Sequence, residues 1–315
     1  MTDHETIKMR TGNLLASLNN NDDNFIGGAD LHLHTTASDG TLTPYQMVKF
    51  AKDAGLSAIA ITDHDSTSGL EEAISAGNEL EIEVIPGIEL STLDGEKEVH
   101  ILGYFIDPSN IMLIDFLSKM IRARDNRTVE MVEKLNDLGV DISLDRVRDI
   151  SGTPFIGRPH IARAMLEMGY IREPAEAFTP EYIGSGGRAY VERFKISPEG
   201  AIGLIHKAGG VAVLAHPGYL GDRSALGEKD IARYVGYGLD GVEVFYSKHT
   251  SKQVEYYKCA ALKYGVIMTG GSDCHGWEDV RLGEVRLEKQ YVETLKYYKF
   301  HRNKELRGQY EYFFN

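Results

Sequence analysis

The sequence predicts an α/β protein built on a mainly parallel sheet, open or closed into a barrel. Short apolar runs alternate with amphipathic stretches from Ala29 onward, the pattern of repeated strand–helix units. Several of those runs end in His, Asp or Glu. Ligand sites in parallel α/β folds form at the carboxyl ends of strands. One stretch breaks the rhythm: from about Asp107 to Arg188 the spacing is helical and no strand pattern appears. It is most simply a helical insertion between two strands.

Residues 1–27 read as an extension, with a short helix over Ile7–Leu18 and a polar stop at Asn19–Asp23. Strands are expected at Ala29–His34, Ser57–Thr62, Glu83–Pro86, Val99–Tyr104, Gly210–Ala215, Gly241–Phe245, Val266–Thr269 and Gly283–Leu287. Helices are expected at Pro44–Ala54, Gly69–Leu80, Pro198–Ala208, Ile231–Tyr237, Ser251–Tyr264 and Tyr291–Asn303. Thr43 before Pro44 supplies an N-cap and a proline at the first helical position, and Gly55 supplies the stop. In the insertion, Met112–Leu138 carries Leu113, Phe116, Leu117, Met120, Val129, Val132 and Leu135 at helical spacing. The expected organisation is an extension at 1–27, a barrel from 28–106 and 189–315, and an inserted helical subdomain at 107–188 that caps the site. Gly184–Gly187 lacks the Lys-Ser/Thr of a nucleotide-binding loop and reads as a turn. Tyr310–Phe314 reads as a tail docked on the barrel.

Composition excludes several classes. With 42% hydrophobic and 26% charged residues over 315 positions, the chain is neither disordered nor fibrous. No apolar run is long enough for a membrane span, and the N-terminus lacks a signal peptide's apolar core. The net charge of −13 disfavours long duplex nucleic acid. A small anionic substrate needs a cation or local arginines to receive it. Two cysteines, Cys259 and Cys274, argue against a disulfide framework and fit a reducing cytoplasm.

The strand ends carry the chemistry. In Asp30-Leu31-His32-Leu33-His34, the two-residue period puts Asp30, His32 and His34 on one face. Two imidazoles there suit a metal ion. Later runs end in Asp63-His64-Asp65, Glu89, His216 and Asp273-Cys274-His275. One polar strand end is ordinary; five with metal-ligand side chains point to a polynuclear metal site. Glu89 and His100 flank Asp94-Gly95, a strong hairpin signal, and folding there places residue 100 roughly opposite residue 89. Asp30 is read as orienting one imidazole, with Asp63 and Asp65 as support residues. Cys274 is read as packing.

These motifs, with Ser38-Asp39-Gly40, Gly87-Ile88-Glu89-Leu90-Ser91, Ala215-His216-Pro217-Gly218 and Gly271-Ser272-Asp273-Cys274-His275, resemble the polymerase and histidinol phosphatase (PHP) family, in the family's order. The resemblance spans about residues 29–275. It implies a distorted seven-stranded (β/α) barrel with three metal ions at the strand ends. By the family pattern, His32, His34, Glu89 and Asp273 hold the first ion. Glu89 bridges to a second, which also takes His216. Asp39, His64 and His275 hold the third. Many members carry a histidine near Asp39, but the branch without other domains uses the aspartate. His100 and His160 both stand as candidates for the remaining ligand of the second ion. Glu98–Tyr104, the insertion and Gly157–Arg163 resemble that branch. It includes phosphatases of 3',5'-bisphosphorylated nucleotides and enzymes that trim RNA from its 5' end.

The resemblance therefore implies a phosphoesterase acting on a terminal phosphate of a nucleotide or short oligonucleotide. A water shared by two divalent cations loses a proton near neutral pH and becomes a nucleophile. Imidazoles mixed with carboxylates suit Mn, Zn or Fe better than Mg. Glu89 and Asp273 are the expected catalytic carboxylates. His249 is a candidate to bind or protonate phosphate. Arg124, Arg127, Arg158 and Arg163 are candidates for a second phosphate, since a guanidinium grips phosphate through two N–H groups. Two alternatives stand beside this reading: a phosphatase for a small metabolite such as histidinol phosphate, and a non-catalytic metal-bound scaffold.

Overall fold

A computed structural model describes residues 27–95, 97–152, 156–192, 194–219, 225–276 and 281–313. The side chains of Arg124 and of residues 302–313 lie outside the described set, as do the expected helix at Ile7–Leu18 and the side chains of the expected tail at Tyr310–Phe314. Seven strands form one sheet in chain order: β1 (Ala29–Leu33), β2 (Ala58–Ile61), β3 (Glu83–Asp94), β4 (Lys97–Tyr104), β5 (Val211–Leu214), β6 (Gly241–Tyr246) and β7 (Ile267–Gly271). Only β4 runs against its neighbours; the other pairings are parallel. Past the end of β7, His34 N donates to Cys274 O and Asp273 N to His32 O. These bonds bring the last strand back to the first and nearly close a barrel, the fold expected from the sequence.

The chain divides into two compact units, one running up to Ile114 and again from Ile196, the other Asp115–Lys195. The first holds the sheet with helices α1 (Pro44–Asp53), α2 (Leu70–Leu80), α7 (Pro198–Lys207), α8 (Glu228–Gly236), α9 (Ser251–Tyr264) and α10 (Lys289–Phe313). The helix α3 (Ile111–Asp137) begins at the division; α4 (Leu144–Ser151), α5 (Arg158–Glu167) and α6 (Pro174–Ala177) belong to the second unit. Among the described residues from Asp107 to Arg188 no strand occurs.

Local chemistry accounts for the elements. Thr43 and Gln46 form a reciprocal capping box with Pro44 in the first turn of α1, which buries Met47, Val48 and Ala51. Thr250 and Gln253 cap α9 in the same way. The barrel core joins Leu31, Ala60, Leu102, Tyr104 and Val213 to Leu295 of α10. Each buried leucine or valine side chain among them contributes about 1.5–3 kcal/mol by leaving water. The second unit has its own core, including Met131, Leu135, Val147, Ile161 and Met165. Among the described residues no helix is long and apolar enough to cross a membrane.

Two strand expectations need correction. Gly283–Leu287 is a turn with a single antiparallel bridge, in which Ala29 and Leu287 exchange both backbone bonds. Gly283 N donates instead to Asp30 Oδ2, which takes it out of a ladder. The third strand does not stop at Pro86 but runs on to Asp94, because its second half pairs with β4 as a hairpin. Asp94 and Lys97 close that hairpin, and Gly95 adopts the left-handed φ of 61° that its turn requires.

Candidate metal centre

Glu89 is the pivot. It lies in β3 with 0% exposure. Its Oε1 is 2.8 Å from His100 Nδ1 and 3.0 Å from His216 Nε2. Its Oε2 is 3.2 Å from both His32 Nε2 and His34 Nε2, and 3.0 Å from His64 Nδ1. Five imidazoles from four strands or strand ends thus face one carboxylate. The period of β1 accounts for His32 and His34 arriving together. His100 reaches from β4, two residues off the direct partner of Glu89: Glu89 pairs with Leu102, and Ser91 with His100. Residue 100 is thus roughly, not directly, opposite residue 89, on a diagonal within reach of long side chains on one face.

Asp273 completes a first group, its Oδ1 3.4 Å from His32 Nε2 and 3.1 Å from His34 Nε2. Gly271 makes this possible. A Cβ there would stand 2.4 Å from the His32 backbone nitrogen, so only glycine lets the end of β7 lie against β1. Asp39, His64 and His275 gather in another group. Asp39 Oδ1 is 3.3 Å from His275 Nε2, and its Oδ2 is 4.0 Å from His64 Nε2. Asp63 builds the loop that carries Asp39, accepting from Thr35 N, Thr35 Oγ1 and Ser38 Oγ at 2.7, 2.8 and 2.6 Å. Asp65, His216 and Asp273 all take left-handed φ values of 49°, 25° and 60°, and such backbone clusters at functional sites.

The charges interlock. Burial opposes ionisation of Glu89, but the surrounding imidazoles hold its carboxyl well below the usual range. Asp39 and Asp273 are likewise depressed by their histidines against the effect of burial. Burial pulls His34 and His100 down, yet the carboxylates beside them raise the two rings to about 10 and about 9. His64 is pushed down to about 3, by burial first and by like charge on His34 and His100.

The residues fit divalent cations. His32 Nε2, both His34 ring nitrogens, His64 Nδ1 and Glu89 Oε2 are buried without a hydrogen-bond partner, which is costly unless an ion meets them. Opposite nitrogens are already engaged. His32 Nδ1 is 3.0 Å from Glu243 Oε1, His216 Nδ1 donates to Tyr219 O at 3.2 Å, and His275 Nδ1 donates to Asp273 O at 2.9 Å. Each ring is thereby set to present its other nitrogen to a metal. Three groups of His, Asp and Glu have ligand atoms within 4.8 Å of one another: His34, Asp39, His64 and His275; His32, His34, Glu89 and Asp273; His64, Glu89 and His100.

Other expected site residues are placed differently. His249 uses both ring nitrogens on backbone: Nδ1 donates to Val244 O and Nε2 accepts from Gly218 N, each at 3.0 Å. His160 Nδ1 accepts from Gly157 N at 3.0 Å and closes the first turn of α5. Within the helical unit, Arg127 Nε donates to Val191 O at 2.7 Å and Arg158 Nη1 to Ile183 O at 3.3 Å. Both guanidinium groups lie over the Tyr190 ring, at 5.5 and 5.8 Å. Arg163 is exposed, 3.6 Å from Glu167. Asp30 does not orient an imidazole. It accepts backbone N–H groups of Ser272 at 2.8 Å and Gly283 at 2.9 Å, and burial raises its carboxyl to about 6.

Two residues of β6 were invisible beforehand. Glu243 has 0% exposure and, besides His32, accepts His216 N at 2.7 Å. Tyr246 donates its hydroxyl to Asp273 Oδ2 at 2.9 Å. The usable signal was a single carboxylate in the apolar run Gly241-Val242-Glu243-Val244-Phe245, because a buried charge needs partners.

Imidazoles and carboxylates converging at the strand ends of a nearly closed seven-stranded barrel form a candidate metal centre, and the relatives and solved structures it resembles make its class that of a metal-dependent phosphoesterase. The PHP domain pattern matches residues 30–168. The 5'-3' exoribonuclease of Haemophilus influenzae is 32% identical over 258 residues, covering 81% of this chain and 93% of that protein. The 3',5'-nucleoside bisphosphate phosphatase of Chromobacterium violaceum is 33% identical over 247 residues, covering 78% of this chain and 86% of that protein. A solved structure from Bifidobacterium adolescentis, considered a metal-dependent phosphoesterase, is 33% identical and superposes with a TM-score of 0.72 over 85% of this chain and 95% of that one. The chain belongs to the PHP domain family.

Proposed function

We propose that the protein hydrolyses a terminal phosphate from a 3',5'-bisphosphorylated nucleotide or a short 5'-phosphorylated oligonucleotide, using three divalent ions. The observation that carries this reading is the convergence of five imidazoles and Asp273 around Glu89. In this assignment His32, His34, Glu89 and Asp273 hold one ion, Glu89, His100 and His216 a second, and Asp39, His64 and His275 a third. The donor set suits Mn, Zn or Fe. When bound, the ions supply an activated water and neutralise charge building on phosphate oxygens.

The chain's own residues prepare that chemistry. Glu89 holds five rings in one constellation. Glu243, Tyr219 O and Asp273 O fix which nitrogen His32, His216 and His275 turn inward. His100 is assigned to the second ion; His160 is assigned to capping α5. His249 is assigned to holding the turn after His216 through Gly218. Arg127, Arg158 and Arg163, with Arg124 included on its sequence position, are assigned to a second phosphate of the substrate. The likeness to an exoribonuclease and to a bisphosphate phosphatase supports a nucleotide or short RNA as substrate. The test is a screen of Mn-loaded protein against mono- and bisphosphorylated nucleotides, 5'-phosphorylated oligonucleotides and histidinol phosphate. The reading expects fastest turnover on a bisphosphate or an oligonucleotide. Preference for histidinol phosphate, or no turnover of any ester, would overturn it.

A further inference from the structure

β6 supplies no residue to the three proposed ion sites, yet its one carboxylate touches two of them. Glu243 Oε1 stands 3.0 Å from His32 Nδ1, and Oε2 accepts the His216 backbone N–H at 2.7 Å. His32 comes from β1 and His216 follows β5. Glu243 is fully buried between the apolar neighbours Val242 and Val244. Burying a carboxylate costs several kcal/mol unless strong partners meet it.

We infer that Glu243 is a positioning residue that couples the first and second ion sites. The inference rests on the proposed metal centre. One oxygen keeps a proton on His32 Nδ1, so that Nε2 offers its lone pair beside Glu89 and Asp273. The other oxygen holds the backbone at His216, whose φ of 25° is unfavourable for a residue with a side chain. That bond keeps the His216 ring aimed at Glu89. A single anion thus sets one ring's tautomer and another residue's backbone.

The chemistry makes Glu243→Gln a sharp probe. Both bonds require an acceptor, and an amide has only one acceptor oxygen. If the amide oxygen takes the His216 N–H, the NH2 faces His32 Nδ1. His32 must then accept there and carry its proton on Nε2, where an ion should bind. If the amide is reversed, its NH2 opposes the His216 N–H. Either orientation damages one site directly and loosens the other through the same side chain. The third site, at Asp39, His64 and His275, shares no bond with Glu243.

Metal-free wild type, Glu243→Gln and Glu243→Asp are loaded with Zn or Mn and desalted. Bound ions are counted by elemental analysis, and affinity is read by competition with a chromophoric chelator. Circular dichroism of the metal-free proteins checks the fold. Wild type is expected to hold three ions. Glu243→Gln should keep the ion of the third site and bind the other two about 10–100-fold more weakly, the scale for loss of a group that orients a metal ligand. Glu243→Asp keeps the charge but is too short to reach both partners, and should show an intermediate loss; it decides the matter if the Gln variant does not fold. Three ions held within about threefold of wild-type affinity in the folded variants would overturn the coupling role alone. Wild type that binds no ions would overturn the metal centre and this inference with it.

Discussion

His100 Nδ1 lies 2.8 Å from Glu89 Oε1 although the two residues are not direct partners across the hairpin. The His100 ring reaches back along β4 to the carboxylate, while its Nε2 faces Glu98 Oε1 at 3.5 Å. One nitrogen points in and the other is backed by an acid, the arrangement of a metal-binding histidine. His100→Asn is therefore expected to lose about one bound ion per chain. His160→Asn should leave the ion count unchanged, since His160 Nδ1 accepts from Gly157 N and the neutral ring therefore carries its proton on Nε2, leaving no lone pair for an ion. Elemental analysis of both variants decides between them, and an ion lost from the His160 variant alone reverses the assignment.

Glu89→Gln removes one negative charge where five imidazoles converge and leaves an NH2 facing some of them. Turnover should fall at least about 100-fold, the scale of deleting a charge-stabilising group, and ion content should fall with it. Steady-state kinetics on the best substrate, with ion counts, is the check. Near-wild-type turnover would mean that the proposed ion sites do not depend on Glu89.

Metal uptake should release protons. In the metal-free protein, burial disfavours charge on His34 and His100, but neighbouring carboxylates outweigh it and raise the rings to about 10 and about 9. Both rings are then protonated at pH 7 to 8, and each must give up a proton to bind an ion through that nitrogen. His64, held at about 3, is already neutral and contributes none. Apparent affinity should rise as pH climbs toward the raised values and weaken as pH falls. Calorimetry in two buffers of different ionisation enthalpy should count about two or more protons released per chain. A count near zero would contradict the pairing of these rings with Glu89 and Asp273.

Some of this centre is legible in local pattern and some is not. Alternation along β1 is local, so the shared face of His32 and His34 could be read from five letters. The Asp94-Gly95 turn is local too, and the hairpin followed from it. Its register was not, because a shift of pairing depends on how both strands pack against β2 and β5. Asp30 shows the same limit. Its face was clear, but its partners, Ser272 and Gly283, arrive only when the barrel closes. Glu243 was hidden for a related reason. Within β6 it is one acid in an apolar run, and its meaning lies in His32 and His216 on other strands.

His249 offers a test between proton donor and structural tie. Its Nδ1–H donates to Val244 O and its Nε2 accepts from Gly218 N. Burial is the chief reason its ring is held below the ordinary value, so it is neutral at neutral pH. A glutamine can also donate to one carbonyl and accept from one N–H. His249→Gln should therefore retain most activity, and His249→Leu should lose much more. If His249 protonates the leaving group, the glutamine variant will be as slow as the leucine variant.

Substrate choice is the remaining question, and the arginines of the helical unit carry the proposal. Ions held at the strand ends would grip one phosphate and would not distinguish a nucleotide from a generic ester. A bisphosphorylated nucleotide has a second phosphate that needs its own cationic partner. In the proposed role Arg127 would start partly ordered, since its Nε is tied to Val191 O and its guanidinium lies over Tyr190, and less freedom would be lost on binding an anion. Arg163 is exposed beside Glu167 and would exchange a weak surface pair for a phosphate. Losing one guanidinium contact should cost about 1.5–3 kcal/mol, the range for hydrogen bonds to charged groups. That is about 10- to 150-fold in kcat/KM. Arg127→Ala and Arg163→Ala should each show this loss on the bisphosphate while leaving nitrophenyl phosphate within a few-fold. Because Arg127 also ties Val191 within its unit, Arg127→Lys serves as a control that keeps the charge without the planar fork. Equal losses on both substrates would place these arginines at the reacting phosphate or in the fold. No loss on either would remove them from substrate recognition.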